Sequence, residues 1–182
     1  MLEAAGVSSE TGTHDIDESA IKSELTTKGI QPGDLAEDLA RAKAEGLSRS
    51  AGQVLGADQI LAMENGTMLD KPANKDDAKT HLRILSGRAH RLYSAAAIVE
   101  QGRPVWHHVD MATLTMRNLS EKFIEDYVEA EWDSIRYCVG CYEIEGSGIQ
   151  LFSRIEGSQF TIMGLPLIGL LGYLRERGLM PS

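Results

Sequence analysis

Two short apolar runs lie close together in Gly52-Gln-Val-Leu-Gly-Ala-Asp-Gln-Ile-Leu-Ala-Met63, Val54-Leu55 and Ile60-Leu-Ala-Met63. Gly56, Ala57, Asp58 and Gln59 separate them. Runs this short, bounded by Gly52 and by Asn65-Gly66, predict buried strand. Asn65-Gly66 predicts a two-residue hairpin turn, and Thr67 to Pro72 a short returning strand ended by the proline. Arg88 to Val99 and Val105 to Met116 predict two long strands linked through Gln101-Gly-Arg-Pro104. In the second, Val105, His107, Val109 and Met111 alternate with Trp106, His108, Asp110 and Ala112. The two adjacent histidines therefore point to opposite faces and cannot chelate one metal together. Arg136 to Gly146 and Ile149 to Ile155 predict a last hairpin, turned at Gly146-Ser-Gly148.

Helical spacing fills the intervals. Met1 to Ala5 reads as the last turn of a helix ended by Gly6. Leu35, Leu39 and Ala42, with Ala36, Ala40 and Ala44, predict a helix opened by Gln31-Pro-Gly-Asp34 and capped by Asp34. Asn74 caps the next, whose stripe is Ala78, Leu82 and Leu85, and His81 beside it reads as packing. Ser120 caps a third, with Leu119 and Ile124 as a hydrophobic staple and Ile124, Tyr127 and Val128 on its buried edge. Pro166 opens a fourth with core residues Leu167, Leu170, Leu171 and Leu174, ended by Gly178. The order predicts an α/β fold with a mixed sheet, because hairpins interrupt the crossover units.

At 182 residues the chain is one domain or two closely joined lobes. Its net charge of -9 and the lack of a basic stripe argue against duplex nucleic acid or an anionic membrane surface as partner. No apolar run approaches a membrane span, and the N-terminus lacks the pattern of a signal peptide. Two cysteines without a secretion signal predict a reducing cytoplasm. Cys138 and Cys141 have C-x-x-C spacing, but no second pair completes a zinc site, and strand-like neighbours do not suit a redox motif.

Asp58 is the chemical focus. A carboxylate between buried runs needs a cation, a metal or hydrogen-bond donors. Lys43 near the end of its helix reads as a snorkelling surface residue unless that end points at the same cleft as Asp58. Lys71 on the returning strand, expected to turn back towards Asp58, reads as a phosphate-holding partner of that carboxylate or as a plain cross-strand ion pair. The acidic run His14-Asp-Ile-Asp-Glu-Ser19 reads either as a hard-cation ligand or as a solvated loop.

These pieces together resemble the Maf family, the septum-formation-inhibitor-like nucleotide pyrophosphatases. The resemblance rests on Asp17-Glu18-Ser19, Ala42-Lys43-Ala44, Gly56-Ala57-Asp58, Asp70-Lys71-Pro72 and Leu85-Ser86-Gly87-Arg88-Ala89-His90. It continues through Leu119-Ser120, Ile144-Glu145-Gly146, Arg154-Ile155-Glu156-Gly157 and Gly164-Leu165-Pro166-Leu167, nine weak pieces in the family's order. It implies one Maf-like domain over residues 1–182, with two lobes, a central cleft and a possible homodimer. It also implies hydrolysis of nucleoside triphosphates to a monophosphate and pyrophosphate with magnesium or manganese. By that resemblance Asp58 is catalytic and binds metal, Glu18 supports the metal, and Lys43 and Lys71 hold phosphate. Members acting on thymidine and uridine triphosphates have Thr after the catalytic Asp and Gln at the position of Glu145. Gln59 and Glu145 here look like the subgroup that hydrolyses 7-methylguanosine triphosphate, as do Gln150-Leu-Phe-Ser-Arg154 and Leu165-Pro-Leu-Ile168. The alternatives are a thymidine- or uridine-triphosphate pyrophosphatase and a non-catalytic nucleotide-binding or regulatory protein with the same fold. Family members begin with a strand and a Ser- and Arg-containing loop that this sequence lacks. The expectation is therefore an N-terminally truncated chain, less stable and less active than an extended one.

Overall fold

The computed structural model describes residues 1–47 and 52–181. Two compact units emerge. Unit 1 holds residues 1–59, 93–110 and 158–182, and unit 2 holds residues 60–92 and 111–157. The strands are β1 (Gln53–Met63), β2 (Met68–Leu69), β3 (Ala89–Glu100), β4 (Arg103–Met116) and β5 (Phe152–Glu156). They form a five-stranded sheet in the order β2-β1-β3-β4-β5, with antiparallel ladders between β1 and β2 and between β4 and β5. The helices are α1 (Glu18–Thr27), α2 (Pro32–Leu47), α3 (Lys75–Leu85), α4 (Glu121–Ile135), α5 (Gln159–Ile162) and α6 (Leu167–Glu176). The α/β expectation holds. The central stretch is one continuous strand, with Asp58 inside it.

In unit 1 the pleat divides the packing. Tyr93 and Val109 lie against Gly33 of α2, and His107 bonds Glu37 of the same helix. From the other face Ala96 and Ile98 join Leu165, Leu167, Leu170, Tyr173 and Leu174 in one core, with Leu55, Ala57 and Trp106 packed against it. Trp106 stacks on both Tyr173 and His108. The two adjacent histidines of β4 do face opposite ways. Ahead of this core the first residues make a 3-10 turn at Glu3–Ala5, closed by Gly6 at φ 79, as the pattern predicts.

In unit 2 the Ala78, Leu82 and Leu85 stripe of α3 and Ile124 and Val128 of α4 are almost wholly buried. Asn74 and Ser120 accept the capping bonds from the Asp77 and Phe123 backbone N–H groups. His81 packs as expected, its Nδ1 3.7 Å from the Cys141 thiol. Met116 pairs Phe152 and Thr115 pairs Arg154, so the β4–β5 ladder slips by one residue at Ser153.

Five local readings change. Residues 18–27 form a helix, α1, which carries no buried residue and so shows no apolar stripe. The α2 helix starts at Pro32, where the missing proline N–H costs nothing, and Asp34 sits in its first turn rather than at its cap. Pro166 likewise stands just ahead of the first residue of α6, at its N-cap. The Asn65-Gly66 turn has three loop residues, because Gly66 N–H bonds Met63 O and Met63 N–H bonds Thr67 O. Gly66, at φ 84, takes the left-handed place such a bulged turn requires. Finally, residues 136–146 are not a hairpin arm. The helix α4 runs to Ile135, a turn closed by Cys141 N–H to Cys138 O follows, and a 3-10 turn at Ser147–Leu151 leads into β5. Cys141 has φ 58, which no extended strand admits.

One buried titratable group in unit 2 contributes to acid sensitivity. His90 is fully buried; its Nε2 lies 2.8 Å from the Tyr142 hydroxyl, and its Nδ1 has no hydrogen-bond partner among the described residues. Burial pushes its pKa down to about 4 from the ordinary 6.5. Between those values the unfolded chain takes up a proton that the folded chain refuses. Stability therefore falls as pH drops from about 6.5 towards 4 and levels off below. The full span amounts to roughly 3 kcal/mol. Urea midpoints taken across that range are expected to fall with acid in the unmutated protein, and His90→Gln is expected to remove most of this slope. An unchanged slope in the variant would assign the acid sensitivity elsewhere.

Candidate active site

The site begins with a glycine. A Cβ at Gly56 would stand 2.1 Å from the Ala40 carbonyl oxygen and 2.7 Å from the Ala44 nitrogen. The backbone of α2 thus lies directly on β1, which only a residue without a side chain allows. Ala36, Ala40 and Ala44 are fully buried and keep the helix close. Asp58, two residues beyond Gly56, points to the same face. Lys43, one residue before Ala44, reaches it, and its ammonium donates to Asp58 Oδ1 at 2.6 Å.

The same ammonium lies 3.0 Å from Glu18 Oε2, and His14 Nε2 lies 3.5 Å from the other Glu18 oxygen. Glu18 is the first residue of α1, behind its cap Asp17, which accepts from the Ala20 N–H. Side-chain exposure is 10% at Asp58, 17% at Lys43 and 43% at Glu18. The buried end of the cluster is thus the Asp58 carboxylate.

Burial pushes the Asp58 carboxyl above its ordinary value, more than the Lys43 bond and charge pull it down; Glu18 adds to the rise and Lys22 opposes it. For Lys43, burial works to lower the ammonium, but Asp58 and Glu18 together outweigh it and raise it. An isolated pair would lower its acid while raising its base. Here both rise, because Asp58 is the deeper group and shares its lysine with a second carboxylate. The cluster therefore holds a firmly charged ammonium between two acids, and one of those acids takes a proton more readily than a free aspartate.

Among the described residues no group of three or more His, Cys, Asp or Glu side chains could enclose a metal ion. The two carboxylates on Lys43 supply hard oxygen donors, which suit a magnesium-like ion that completes its shell with water and phosphate oxygens. The residues fit such a metal as a companion of the substrate rather than as a caged cofactor.

Three predicted residues remain. Gln59 follows Asp58 on β1 and so faces the opposite side of the sheet. Its Nε2 donates to Ser94 Oγ at 2.8 Å and to the Thr161 and Ile162 carbonyls at 2.9 and 3.0 Å. Lys71 and Glu145 belong to unit 2. Lys71 is exposed just beyond β2, and Glu145 is exposed in the turn before the Ser147–Leu151 segment. Both act electrostatically on Cys138, Glu145 raising its thiol pKa and Lys71 lowering it. Burial leads these effects and pushes the Cys138 thiol up to about 11 and Cys141 to about 12. Both cysteines are free thiols, and neither is a ready nucleophile. Sequence reasoning missed His14 and Lys22 as members of the cluster. The signal was present for both, because His14 and Lys22 stand four residues either side of Glu18.

Comparison with known proteins places the chain in a family. The family model described as Maf-like protein matches residues 1–177. The chain is 48% identical over 184 residues to a nucleoside triphosphate pyrophosphatase of Sphingopyxis alaskensis, covering 100% of this chain and 93% of the relative. It is 49% identical over 184 residues to one of Nitrobacter winogradskyi, covering 99% and 89%. A third, from Roseobacter denitrificans, is 45% identical over 183 residues, covering 100% and 92%. The chain belongs to the Maf-like protein family. Among the described residues no helix is long and apolar enough to cross a membrane.

Because Gly56 sets the distance between α2 and Asp58, Gly56→Ala is expected to push the helix away. A Cβ against backbone has no side chain to displace, so the cost is at least the 1–3 kcal/mol of ordinary overpacking. Thermal denaturation is expected to show a melting temperature lowered by several degrees, about 4 °C or more. A melting temperature within a degree of the unmutated protein would mean that α2 does not rest on β1 here.

Proposed function

We propose that this protein hydrolyses nucleoside triphosphates at the α–β phosphoanhydride, releasing a nucleoside monophosphate and pyrophosphate, with preference for 7-methylguanosine triphosphate. The names of its relatives support the reaction class. The single observation that carries the chemistry is the buried Asp58 carboxylate on the Lys43 ammonium at 2.6 Å.

In this reading Asp58 accepts a proton from the attacking water, a task helped by its raised proton affinity. One P–O bond forms to the water oxygen, and the bond between the α and β phosphates breaks. Lys43 meets the negative charge that develops on the phosphate oxygens, as does Lys71. Asp58 and Glu18 would hold a magnesium or manganese ion, which when bound supplies Lewis-acid neutralisation of the phosphates. His14 holds Glu18 from the other side. Glu145 is assigned to the base, where a carboxylate can accept from the guanine N1–H and exocyclic amine and attract a cationic methylated ring. A homodimer and cytoplasmic residence belong to the same proposal; two free thiols suit a reducing compartment.

Asp58→Asn keeps shape and hydrogen bonding but removes the base. Pyrophosphate release with magnesium or manganese is expected to fall on the order of 10²-fold or more, with the melting temperature nearly kept. Near-normal turnover in the variant would sink the assignment of Asp58. A protein that binds nucleotides but releases no pyrophosphate from any triphosphate would instead be the non-catalytic reading.

For the base, the unmutated protein is expected to favour 7-methylguanosine triphosphate over thymidine triphosphate in kcat/KM. Glu145→Gln is expected to weaken that preference about tenfold, the scale of one lost charge-assisted hydrogen bond. Equal or better use of thymidine triphosphate before mutation would overturn the base assignment without touching the chemistry.

A further inference from the structure

The amide nitrogen of Gln59 is fully engaged inside unit 1. Its two N–H groups face three acceptors, Ser94 Oγ and the carbonyls of Thr161 and Ile162. Ser94 Oγ in turn donates to the Thr161 carbonyl at 2.6 Å, and Thr161 Oγ1 donates to Asp110 Oδ2 at 2.6 Å. Ser94 and Thr161 are both fully buried. The chain Gln59–Ser94–Thr161–Asp110 thus joins β1, β3, α5 and β4.

What it holds is a helix too short to hold itself. The α5 helix has four residues, Gln159–Ile162, and a helix end leaves carbonyls without partners. The Thr161 carbonyl also receives the Gly164 N–H at 3.1 Å, while Gln59 supplies the Ile162 carbonyl. Gly164, at φ 98, then turns the chain through Leu165 and Pro166 into α6. The residue next to Asp58 in β1 is therefore the cap of the segment that launches α6.

We propose that Gln59 is a positioning residue rather than a reader of the base: it fixes α5 and the Gly164 turn relative to Asp58, and shapes nucleotide choice through that placement. This rests on the pyrophosphatase reading above. A side chain whose donors are all spent on Ser94 and α5 has no N–H left for a nucleobase. A change at residue 59 then reaches the nucleotide through the segment that its amide nitrogen clamps. Ser94, which touches the same carbonyl from β3, must then act in the same direction.

The experiment compares the unmutated protein with Gln59→Thr, Ser94→Ala and the double variant. One readout is the ratio of kcat/KM between 7-methylguanosine triphosphate and thymidine triphosphate. The other is amide hydrogen exchange over residues 159–165. Both single variants are expected to shift the ratio the same way, by about threefold to tenfold, the scale of one lost hydrogen bond. The double variant is expected to shift it by less than the product of the two, because the residues share one acceptor. Exchange over residues 159–165 is expected to rise in all three. If Gln59→Thr moves the ratio and Ser94→Ala does not, Gln59 reads the base directly and the proposal is overturned. Faster exchange with an unmoved ratio also overturns it, leaving the clamp a structural element alone. An unmutated protein that hydrolyses no triphosphate would fail the pyrophosphatase reading itself; the exchange data would still show whether Gln59 holds α5.

Discussion

The contact at Gly56 is the constraint on which the chemistry of unit 1 depends. The α2 backbone meets β1 there with no side chain between, since even a methyl group would lie 2.1 Å from a carbonyl oxygen. Helices seldom lie this close to a strand, because ordinary side chains keep elements several ångström further apart. The alanines at 36, 40 and 44 make the approach possible, and it has a chemical consequence. A lysine on the same helix needs little length to reach a carboxylate on the strand. Lys43 reaches Asp58 at 2.6 Å while both stay largely covered. At wider spacing the ammonium would fall in water, and Asp58 would be buried without a cation, at a cost of several kcal/mol.

Sharing then sets the electrostatics. One ammonium serves both Asp58 and Glu18. Burial leads in raising the Asp58 carboxyl, and the second carboxylate nearby adds to that. The result is a covered aspartate more disposed to take a proton than a free one. Without Glu18 the rise at Asp58 would be smaller and Asp58 a weaker base. The supporting acid on α1 thus acts on Asp58 by its own charge as well as by sharing the lysine they have in common. That same arrangement ties α1, a helix without a single buried residue, to the rest of unit 1.

Much of this was legible in the sequence, for identifiable reasons. Asp58, Lys43 and Glu18 were readable because each sits in a short motif, and the strand carrying Asp58 has an apolar pattern. The α3, α4 and α6 helices were readable from stripes closed by caps. Helix α1 was not, since a helix that buries nothing writes no stripe. Residues 136–146 misled because Tyr137, Val139 and Tyr142 have strand-like side chains, while the left-handed backbone at Cys141 is decided by the turn and by burial of its thiol. Lys71 and Glu145 were found by motif, and the structure puts both within electrostatic reach of Cys138 in unit 2. No pattern in the sequence connects them.

Gln59 shows best where adjacency in sequence misleads. Residues 58 and 59 are neighbours in the chain but opposite in the sheet, since a strand reverses its side chains at every step. Asp58 looks to α2 and a shared lysine, Gln59 to α5 and a row of hydrogen bonds. Each is polar and largely covered, and each is satisfied by groups the other never meets. The strand between them is consequently held from both faces within two residues, by an ion pair on one side and by Gln59 and Ser94 on the other. Two tethers on adjacent residues fix both the position of a strand and its rotation about its own axis, which a single contact cannot do. Under the proposed function, a carboxylate that takes a proton from an attacking water needs both, because misplacement by about an ångström costs catalysis heavily. The polar groups buried around Gln59 thus belong to the placement of Asp58 as much as Lys43 does.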